Sequence, residues 1–497
     1  MPPLLVPGFA AILFVLLIGL DAAAPGGRGF LVVTPRNVDS IAYFSTAHSL
    51  LFDRDFDLTN QFAHMLSRPG TERTRNSRWV AVQPRTGLPS SPYAIGYPLL
   101  AMPFLAAGTA VDALTGHRAD GYGPWAERVF AASSAALFAA GLFVLHQWLL
   151  LVGLQWTGDA RSVRRWAGVA TLWLAPATAA GYYAFTVMSH SASFFAASLF
   201  FFAWWKARDS NDWQPWLAVG AAAGLMTLCR WQNALFLLIP AVYEFPYAFR
   251  QRHWWISRGA AACMLMLLLA PQFRQWHTIY GSYLTLPQGP QFLAWPPSRV
   301  LHVLFSSHNG LFFTTPATLV GAGGLAWAAW RERTTVLPLL LGVVAQVILV
   351  GSLPRHWHGL AFAMRLLISS LPLLSLGLLY LLLHRGRAAV LAWICLGSMF
   401  TLLSAVQWRY EFVPRRGPLT VDEAFAEKID LGTAYARHQA MEQAGDDAEA
   451  LEAVLERFGE SRVLLRRLSA ACDRAGLPDR KESTDARLRR LEKDLLF

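Results

Sequence analysis

Long apolar stretches separated by short polar connections run along the chain as far as residue 407. Twelve of them approach the roughly 20 residues that a helix needs to cross a bilayer, and several must extend into flanking residues to do so: Leu4–Leu20, Tyr93–Ala113, Ala126–Leu154, Trp166–Phe185, Ser191–Trp205, Trp213–Leu228, Asn233–Tyr247, Gly259–Pro271, Gly310–Trp330, Val336–Leu353, Leu366–Leu383 and Ala388–Gln407. This pattern predicts an all-α polytopic membrane protein. A cleaved signal peptide is the alternative for Leu4–Leu20, but no positive side chain precedes it, which favours an uncleaved helix.

The charges of the connecting loops predict the orientation of these helices. Taken alternately, one set of short loops holds twelve basic residues, whereas the other set holds five over longer connections. Basic loops stay in the cytoplasm. If the amino terminus is also cytoplasmic, an even number of crossings must precede Arg161, and one of the three candidate segments there does not cross.

The segment Tyr93–Ala113 is the one that we predict not to cross. Turn residues lead into it, and it contains Pro98 and Pro103, which weaken a helix. We expect it to lie at the outer membrane interface or to dip into it. The result is about eleven spans, a first external loop over residues 21–125 and a carboxyl terminus outside the cytoplasm.

The chain changes character after the last apolar stretch. A transmembrane domain is predicted over residues 1–408 and a soluble helical tail over 409–497. From Val421 onward, apolar residues recur at steps of three and four, which is typical of short amphipathic helices.

Composition supports the membrane class. Hydrophobic residues make up 54% of the chain and charged residues only 15%, too few to cover a soluble protein of 497 residues. The net charge of +11 fits basic cytoplasmic loops, and no nucleic-acid-binding motif accompanies it. The four cysteines show no C-x-x-C spacing, which argues against metal or redox chemistry. Arg-rich, Lys-poor usage is typical of bacteria with GC-rich genomes, so we predict a bacterial inner (plasma) membrane protein.

Acidic residues follow the first predicted span. Asp39 lies where a helix is expected to begin, and it either caps that helix or acts as a general base at the membrane surface. Asp53, Asp55 and Asp57 alternate with other residues, so they could bind a divalent cation or form a solvated turn.

Cationic and aromatic residues lie in the later external connections. His190 and Arg230 each stand between two apolar stretches, and Arg365 heads another without an acidic residue close in sequence. Trp357 and His358 precede Arg365. Each arginine could simply extend to the outer headgroups, but a guanidinium facing the outer leaflet also suits a lipid phosphate. The connection 272–309, rich in Trp, Gly and Pro, is either a structured lid or part of an interfacial aromatic belt.

Together these features resemble the C-type (GT-C) glycosyltransferase superfamily, which includes protein O-mannosyltransferases and lipid A aminoarabinose transferases. Its members have an acidic first external loop and a Pro-containing stretch similar to Tyr97-Pro98-Leu99-Leu100. Bacterial relatives have a Trp-Gly-Gly-x-x-Phe-Gly-x-Arg-like pattern, which here looks like residues 357–365, with His358 and Ala363 in place of two of its glycines. Asp39-Ser40 stands where many relatives have Asp-Glu.

The resemblance implies a membrane glycosyltransferase. It would use a polyprenyl-phosphate sugar and a lipid or glycan acceptor, without a required metal. Asp39 would be the catalytic base, and Arg365, with Arg230, would bind the donor phosphate. His190, Trp357, His358, Asp55 and Asp57 would be pocket residues. A transporter or lipid flippase is the alternative, but the chain has no internal repeat and its polar residues gather on one side.

Overall fold

The computed structural model describes residues 37–246, 252–354, 361–384, 387–415 and 417–496. Within these ranges the chain is helical and contains no β-strand, and two isolated bridges join Val82 to Pro89 and Thr420 to Leu495. The predicted span Leu4–Leu20 and the pocket candidates Trp357 and His358 lie outside the described residues.

Two helices form the start of the described chain. They are α1 (Val38–His48), which continues into a π-helical turn at Ser49–Asp53, and α2 (Thr59–Leu66). The helical turns Glu72–Arg75 and Arg78–Val80 follow them.

Within the described ranges, twelve further α-helices of six or more residues make up the apolar part as far as residue 409. They are α3 (Gly96–Leu114), α4 (Pro124–Thr157), α5 (Ala160–Leu172), α6 (His190–Ala207), α7 (Trp213–Cys229), α8 (Leu238–Glu244), α9 (Arg252–Tyr280), α10 (Val300–Phe305), α11 (Thr318–Arg331), α12 (Arg333–Gly351), α13 (Leu371–His384) and α14 (Arg387–Arg409). Short α-helical turns and 3-10 segments link them at Leu174–Ala177, Ala179–Tyr183, Trp231–Leu237, Pro290–Phe292, Leu311–Thr314 and Arg365–Ser370. One continuous core joins these elements, with Trp148, Trp204 and Phe200 fully buried in it.

Six helices in the described ranges are long and apolar enough to cross a membrane: Gly96–Leu114, Pro124–Thr157, Trp254–Tyr280, Arg333–Gly351, Arg365–His384 and Arg387–Arg409. Other predicted spans have a different local structure. Trp166–Phe185 is divided among three helices, and Asn233–Tyr247 becomes a 3-10 segment followed by the short α8. The described helices therefore indicate a membrane-associated protein. Their length and composition identify six candidate spans among the described residues, not the eleven that we predicted.

The segment that we predicted not to cross is one of these six. This segment, α3, is one uninterrupted helix of 19 residues that includes both prolines. Pro98 falls in its first turn, where a missing N–H costs nothing, and Pro103 is accommodated inside it.

Different polar residues lie at the two ends of the helix bundle. α6 begins at His190 and ends at Ala207, and its 18 residues make it about 27 Å long. Arg208, which follows its last turn, donates to the Gln155 side chain at 3.2 Å. The return helix α7 ends at Cys229, so that Arg230 lies again at the His190 end. The basic connections around 155–165 and 206–212 are thus at the opposite end from His190 and Arg230.

The described part of the tail begins with a π-helical turn at Asp422–Ala426 and a helical turn at Glu427–Ile429. Four longer helices with a core of their own follow: α15 (Leu431–Ala444), α16 (Ala448–Phe458), α17 (Arg462–Arg474) and α18 (Pro478–Leu491). The attachment of the tail to the apolar part is polar and buried. The Gln407 amide of α14 donates to the Glu423 carbonyl at 3.0 Å, and the Glu423 carboxylate pairs with Arg462 within the tail. The Ser307 hydroxyl accepts from the Leu419 N–H at 2.9 Å. The tail is therefore fixed at the end of the bundle where α14 terminates.

Candidate functional site

Helix α1 begins with a cap that leaves one carboxylate free for other contacts. The Asn37 side chain accepts the Ser40 N–H at 2.8 Å, and the Ser40 hydroxyl accepts the Asn37 N–H at 3.2 Å. This reciprocal pair satisfies the first turn. Asn37, not Asp39, is therefore the N-cap, and Asp39 lies in the first turn, where the helix dipole favours a negative charge.

The Asp39 carboxylate contacts two groups from distant parts of the chain. Oδ1 accepts a hydrogen bond from the Tyr93 hydroxyl at 2.5 Å. Oδ2 lies 3.5 Å from Nη1 of Arg365. The Asp39 side chain is 25% exposed and that of Arg365 is 16% exposed. The carboxylate is thus held in a partly buried site that solutes can still reach.

The segment that carries Tyr93 is fixed by α9 and the loop that follows it. The Gln272 side chain accepts the Ile95 N–H at 2.9 Å, and the Gln288 amide donates to the Pro92 carbonyl at 2.9 Å. The Ser90 hydroxyl lies 3.0 Å from that of Tyr280. The sequence predicted that this apolar segment ends at Pro271, but α9 continues through Pro271 to Tyr280. Because of this extension, Gln272 and Tyr280 can reach the Tyr93 segment.

Arg365 stands directly after a turn of unusual backbone geometry. Ala363 has a φ of 50°, in the left-handed region, and the Arg365 N–H donates to the Ala363 carbonyl at 2.9 Å. This turn directs Arg365 toward Asp39 and also brings its Nη1 within 3.4 Å of the Met188 sulfur. The position is one where the resembled sequence pattern has glycine, which tolerates this backbone without strain.

Arg230 and His190 form a second polar pair beside the first. Nη1 of Arg230 donates to Nδ1 of His190 at 2.8 Å. A ring nitrogen that accepts has no proton, so this His190 is neutral with its proton on Nε2. Arg230 interacts electrostatically with both Arg365 and Asp39. Two guanidinium groups and one carboxylate leave a positive charge in excess at this place.

A close helix contact positions Arg230. The backbone of α3 at Gly96 touches the end of α7, and a Cβ on Gly96 would lie 2.5 Å from the Cys229 nitrogen and the Leu228 carbonyl carbon. Only glycine permits this approach without a shift of the helices. The contact places the residue after Cys229 next to the segment that carries Tyr93.

Two tyrosines near Asp39 keep their protons at neutral pH. Burial raises the pKa of Tyr93, and so does the adjacent Asp39 charge. Burial raises the pKa of Tyr43 in the same way, again with a contribution from Asp39. The Tyr43 hydroxyl donates to that of Ser189 at 2.9 Å, and its ring centroid is 5.1 Å from that of Tyr93. Both phenols therefore act as hydrogen-bond donors.

The other acidic candidates bond within their own turn. Asp55 accepts from the Ser49 hydroxyl at 2.7 Å, and Asp57 accepts from the Thr59 hydroxyl at 2.6 Å. Asp53 accepts from the Asn60 amide at 3.0 Å. These contacts fit the solvated-turn alternative. Among the described residues, no group of three or more His, Cys, Asp or Glu side chains is arranged to hold a metal ion.

Sequence reasoning did not single out Tyr93, Tyr43, Asn37 or Met188 as members of this site. Asn37 had a local signal, because Asn followed three residues later by Ser allows a reciprocal cap. Tyr93 had none, since it lies in a segment that read simply as apolar. Trp276, which the sequence placed in the aromatic connection 272–309, lies instead in the last turns of α9, and its ring centroid is 4.7 Å from that of Trp231 beside Arg230.

Comparisons with models of known families, with curated proteins and with solved structures find no match to this chain.

Proposed function

We propose that the protein is an integral-membrane glycosyltransferase that moves a sugar from a polyprenyl-phosphate donor to an acceptor hydroxyl, with inversion of the anomeric centre. The observation that carries the proposal is the contact between the Asp39 carboxylate and the Arg365 guanidinium at one end of a bundle of apolar helices. A base and a phosphate-binding group are the two parts that this reaction needs side by side.

The two arginines supply the donor site. Arg365 and Arg230 interact electrostatically with one another, and each of them also interacts with the Asp39 carboxylate. A lipid phosphodiester carries one negative charge and would neutralise the excess positive charge. Guanidinium groups bind phosphate oxygens through two parallel N–H donors, which fixes the orientation of the group as well as its position.

Asp39 supplies the base. The acceptor oxygen attacks the anomeric carbon and forms the new C–O bond, while the bond from that carbon to the phosphate oxygen breaks. The acceptor proton passes to the Asp39 carboxylate. The electron pair leaves with the lipid phosphate, whose growing charge is stabilised by the arginines. One displacement at one carbon inverts the configuration.

The contact between Asp39 and Arg365 changes its role when the donor binds. Its N···O distance of 3.5 Å is longer than the roughly 2.7–2.9 Å of a strong charge-assisted hydrogen bond. A phosphate competes well for the guanidinium, so donor binding frees Oδ2 to accept the proton. Tyr93 remains on Oδ1 and holds the carboxylate in place.

The proposal includes an orientation in the membrane. The chain would cross a bacterial inner membrane about eleven times, with the site and the tail outside the cytoplasm. The basic connections near Arg161 and Arg208 lie at the opposite end of the bundle from Arg230, and this separation supports the assignment. Labelling of single cysteines from either side of sealed vesicles tests the orientation.

A transfer assay tests the function. Purified protein is mixed with a panel of polyprenyl-phosphate sugars and candidate acceptors, with Asp39→Asn as the control. Sugar transfer that depends on Asp39 supports the proposal. Movement of the labelled lipid across vesicles with no product in any combination would instead favour a flippase.

A further inference from the structure

The first helical segment of the tail exposes a face of large apolar side chains. Val421 and Phe425 are each 50% exposed and Ile429 is 89% exposed. They recur every four residues along positions 421–429, where the π-helical turn Asp422–Ala426 continues into the helical turn Glu427–Ile429, so they lie near one side of the segment. Tails that are fully surrounded by water do not usually place an exposed valine, phenylalanine and isoleucine side by side.

This face continues an apolar surface that a membrane must cover. The outward side of α14 exposes Leu396, Met399 and Leu402, and only 28% of the most apolar stretch of this helix is buried within the protein. The Phe425 ring lies 6.0 Å from that of Phe400 in α14 and 6.2 Å from that of Phe313. The exposed apolar row of α14 and the exposed face of the tail are therefore one continuous surface.

The opposite side of the same segment is fixed to the protein. Glu423 forms its buried pair with Arg462, and Ala424 is fully buried. The Lys428 ammonium donates to the Ala424 carbonyl and lies 4.4 Å from the Phe400 ring centre. The segment cannot turn its apolar face inward without breaking these contacts.

We propose that Val421, Phe425 and Ile429 insert into the bilayer, so that this part of the tail is an interfacial membrane anchor. The occupant is the lipid acyl region, because the face adjoins the side of α14 that lipid covers. Asp422 and Asp430, both exposed beside these residues, lie at the depth of the polar headgroups. Amphipathic helices in the membrane interface bury their apolar face to this depth and keep their polar face at the headgroups.

The anchor is in the leaflet next to the Asp39 site. The Trp408 ring, at the end of α14, lies 6.3 Å from the Phe362 ring, and the Phe362 carbonyl accepts from Tyr183 at 3.0 Å. Phe362 stands three positions before Arg365. The inference does not depend on glycosyl transfer, since it needs only that α14 lies in a membrane.

Spin labels on single cysteines test the anchor in the full-length protein in lipid vesicles. The background carries Cys263→Ala and Cys395→Ala, because Cys229 and Cys472 are buried. Labels are attached at Ile429→Cys and Val421→Cys, whose side chains are exposed and so tolerate the change. Met399→Cys is the lipid-facing control, and Glu456→Cys, exposed on α16, is the aqueous control.

Relaxation by oxygen, which concentrates in lipid, is compared with relaxation by a water-soluble nickel chelate. We expect the labels at 429 and 421 to be accessible to oxygen and protected from nickel, as at 399. Access to nickel like that at 456 would overturn the proposal. Protection from both reagents would also overturn it, because a second copy or another protein would then cover the face.

Discussion

The Asp39 carboxylate lies 3.5 Å from a guanidinium nitrogen of Arg365, although the two residues belong to opposite ends of the apolar part of the chain. Tyr93 holds the second carboxylate oxygen from the other side. The pair leaves Asp39 partly exposed, so a reacting hydroxyl can approach it. Its chemistry can be tested one residue at a time.

Replacement of the proposed base should stop transfer while the protein still folds. Asp39→Asn keeps the size of the side chain and its ability to accept from Tyr93, but it removes the carboxylate that takes the proton. General-base catalysis contributes about 100-fold or more, so we expect at least that loss in kcat. Asp209→Asn is the matched control, since Asp209 contacts Arg208 at 3.3 Å at the opposite end of the bundle. Full activity of Asp39→Asn would remove Asp39 from the mechanism.

The charge of Arg365 alone should not be enough for donor binding. Arg365→Lys keeps the positive charge but loses the paired donors that match a phosphate. A lost charge-assisted hydrogen bond costs about 1.5–3 kcal/mol, so the KM for the lipid donor should rise by roughly 10-fold or more. The control is Arg333→Lys, at the exposed start of α12, which should leave the KM for the lipid donor unchanged. An unaltered KM in Arg365→Lys would place the phosphate elsewhere.

The contact between α3 and α7 should not tolerate a methyl group. In Gly96→Ala the new Cβ would overlap the backbone of Leu228 and Cys229, and forced overpacking costs about 1–3 kcal/mol. We expect a lower melting temperature for the purified protein. Gly323→Ala in α11 is the control, because nothing lies within 4 Å of its added Cβ, and that variant should be at least as stable as the original.

The left-handed backbone at Ala363 predicts a difference between two neighbouring substitutions. Ala363→Gly and Ala361→Gly both remove a buried methyl group and both make the unfolded chain more flexible. Only the first relieves a left-handed alanine, which is worth about 1–2 kcal/mol. Ala363→Gly should therefore melt at nearly the original temperature and Ala361→Gly clearly below it. Equal losses would mean that the turn before Arg365 carries no strain.

Acid should loosen the contact between the tail and the helices through His308. Burial lowers the pKa of His308 to about 4 from an ordinary value of 6.5. Between these values the unfolded chain binds a proton that the folded protein does not, so stability falls as the pH decreases from 6.5 toward 4 and then levels off. The shift corresponds to about 3 kcal/mol at most.

Melting curves at several pH values check this effect. His308→Gln should lose the part of the pH dependence that lies between 6.5 and 4, because glutamine takes up no proton. The side chain packs with its ring centre 5.5 Å from that of Trp408, so a uniform loss of stability at all pH values is expected as well. An unchanged pH profile in the variant would exclude His308 as the source.

Local patterns in the sequence predicted several parts of the structure correctly. The helix expected to begin near Asp39 begins at Val38, and the periodicity after Val421 forms the helices of the tail. The weakening expected from the prolines of α3 applies to Pro103 and not to Pro98, because the effect of a proline depends on its position in the helix. Pro98 falls in the first turn, where no hydrogen bond is lost.

The sequence by itself determined that this is a helical, membrane-associated protein and which polar residues interrupt its apolar segments, because hydropathy and periodicity are local properties of the chain. The tertiary structure decided which of those polar residues meet. In the structure Asn37 is the N-cap of α1, and Arg365 and Tyr93 both contact Asp39. Asp55 and Asp57 instead form hydrogen bonds within their own turn. These contacts depend on close approaches such as that of Gly96 to Leu228, and packing between helices remote in sequence leaves no local pattern to read.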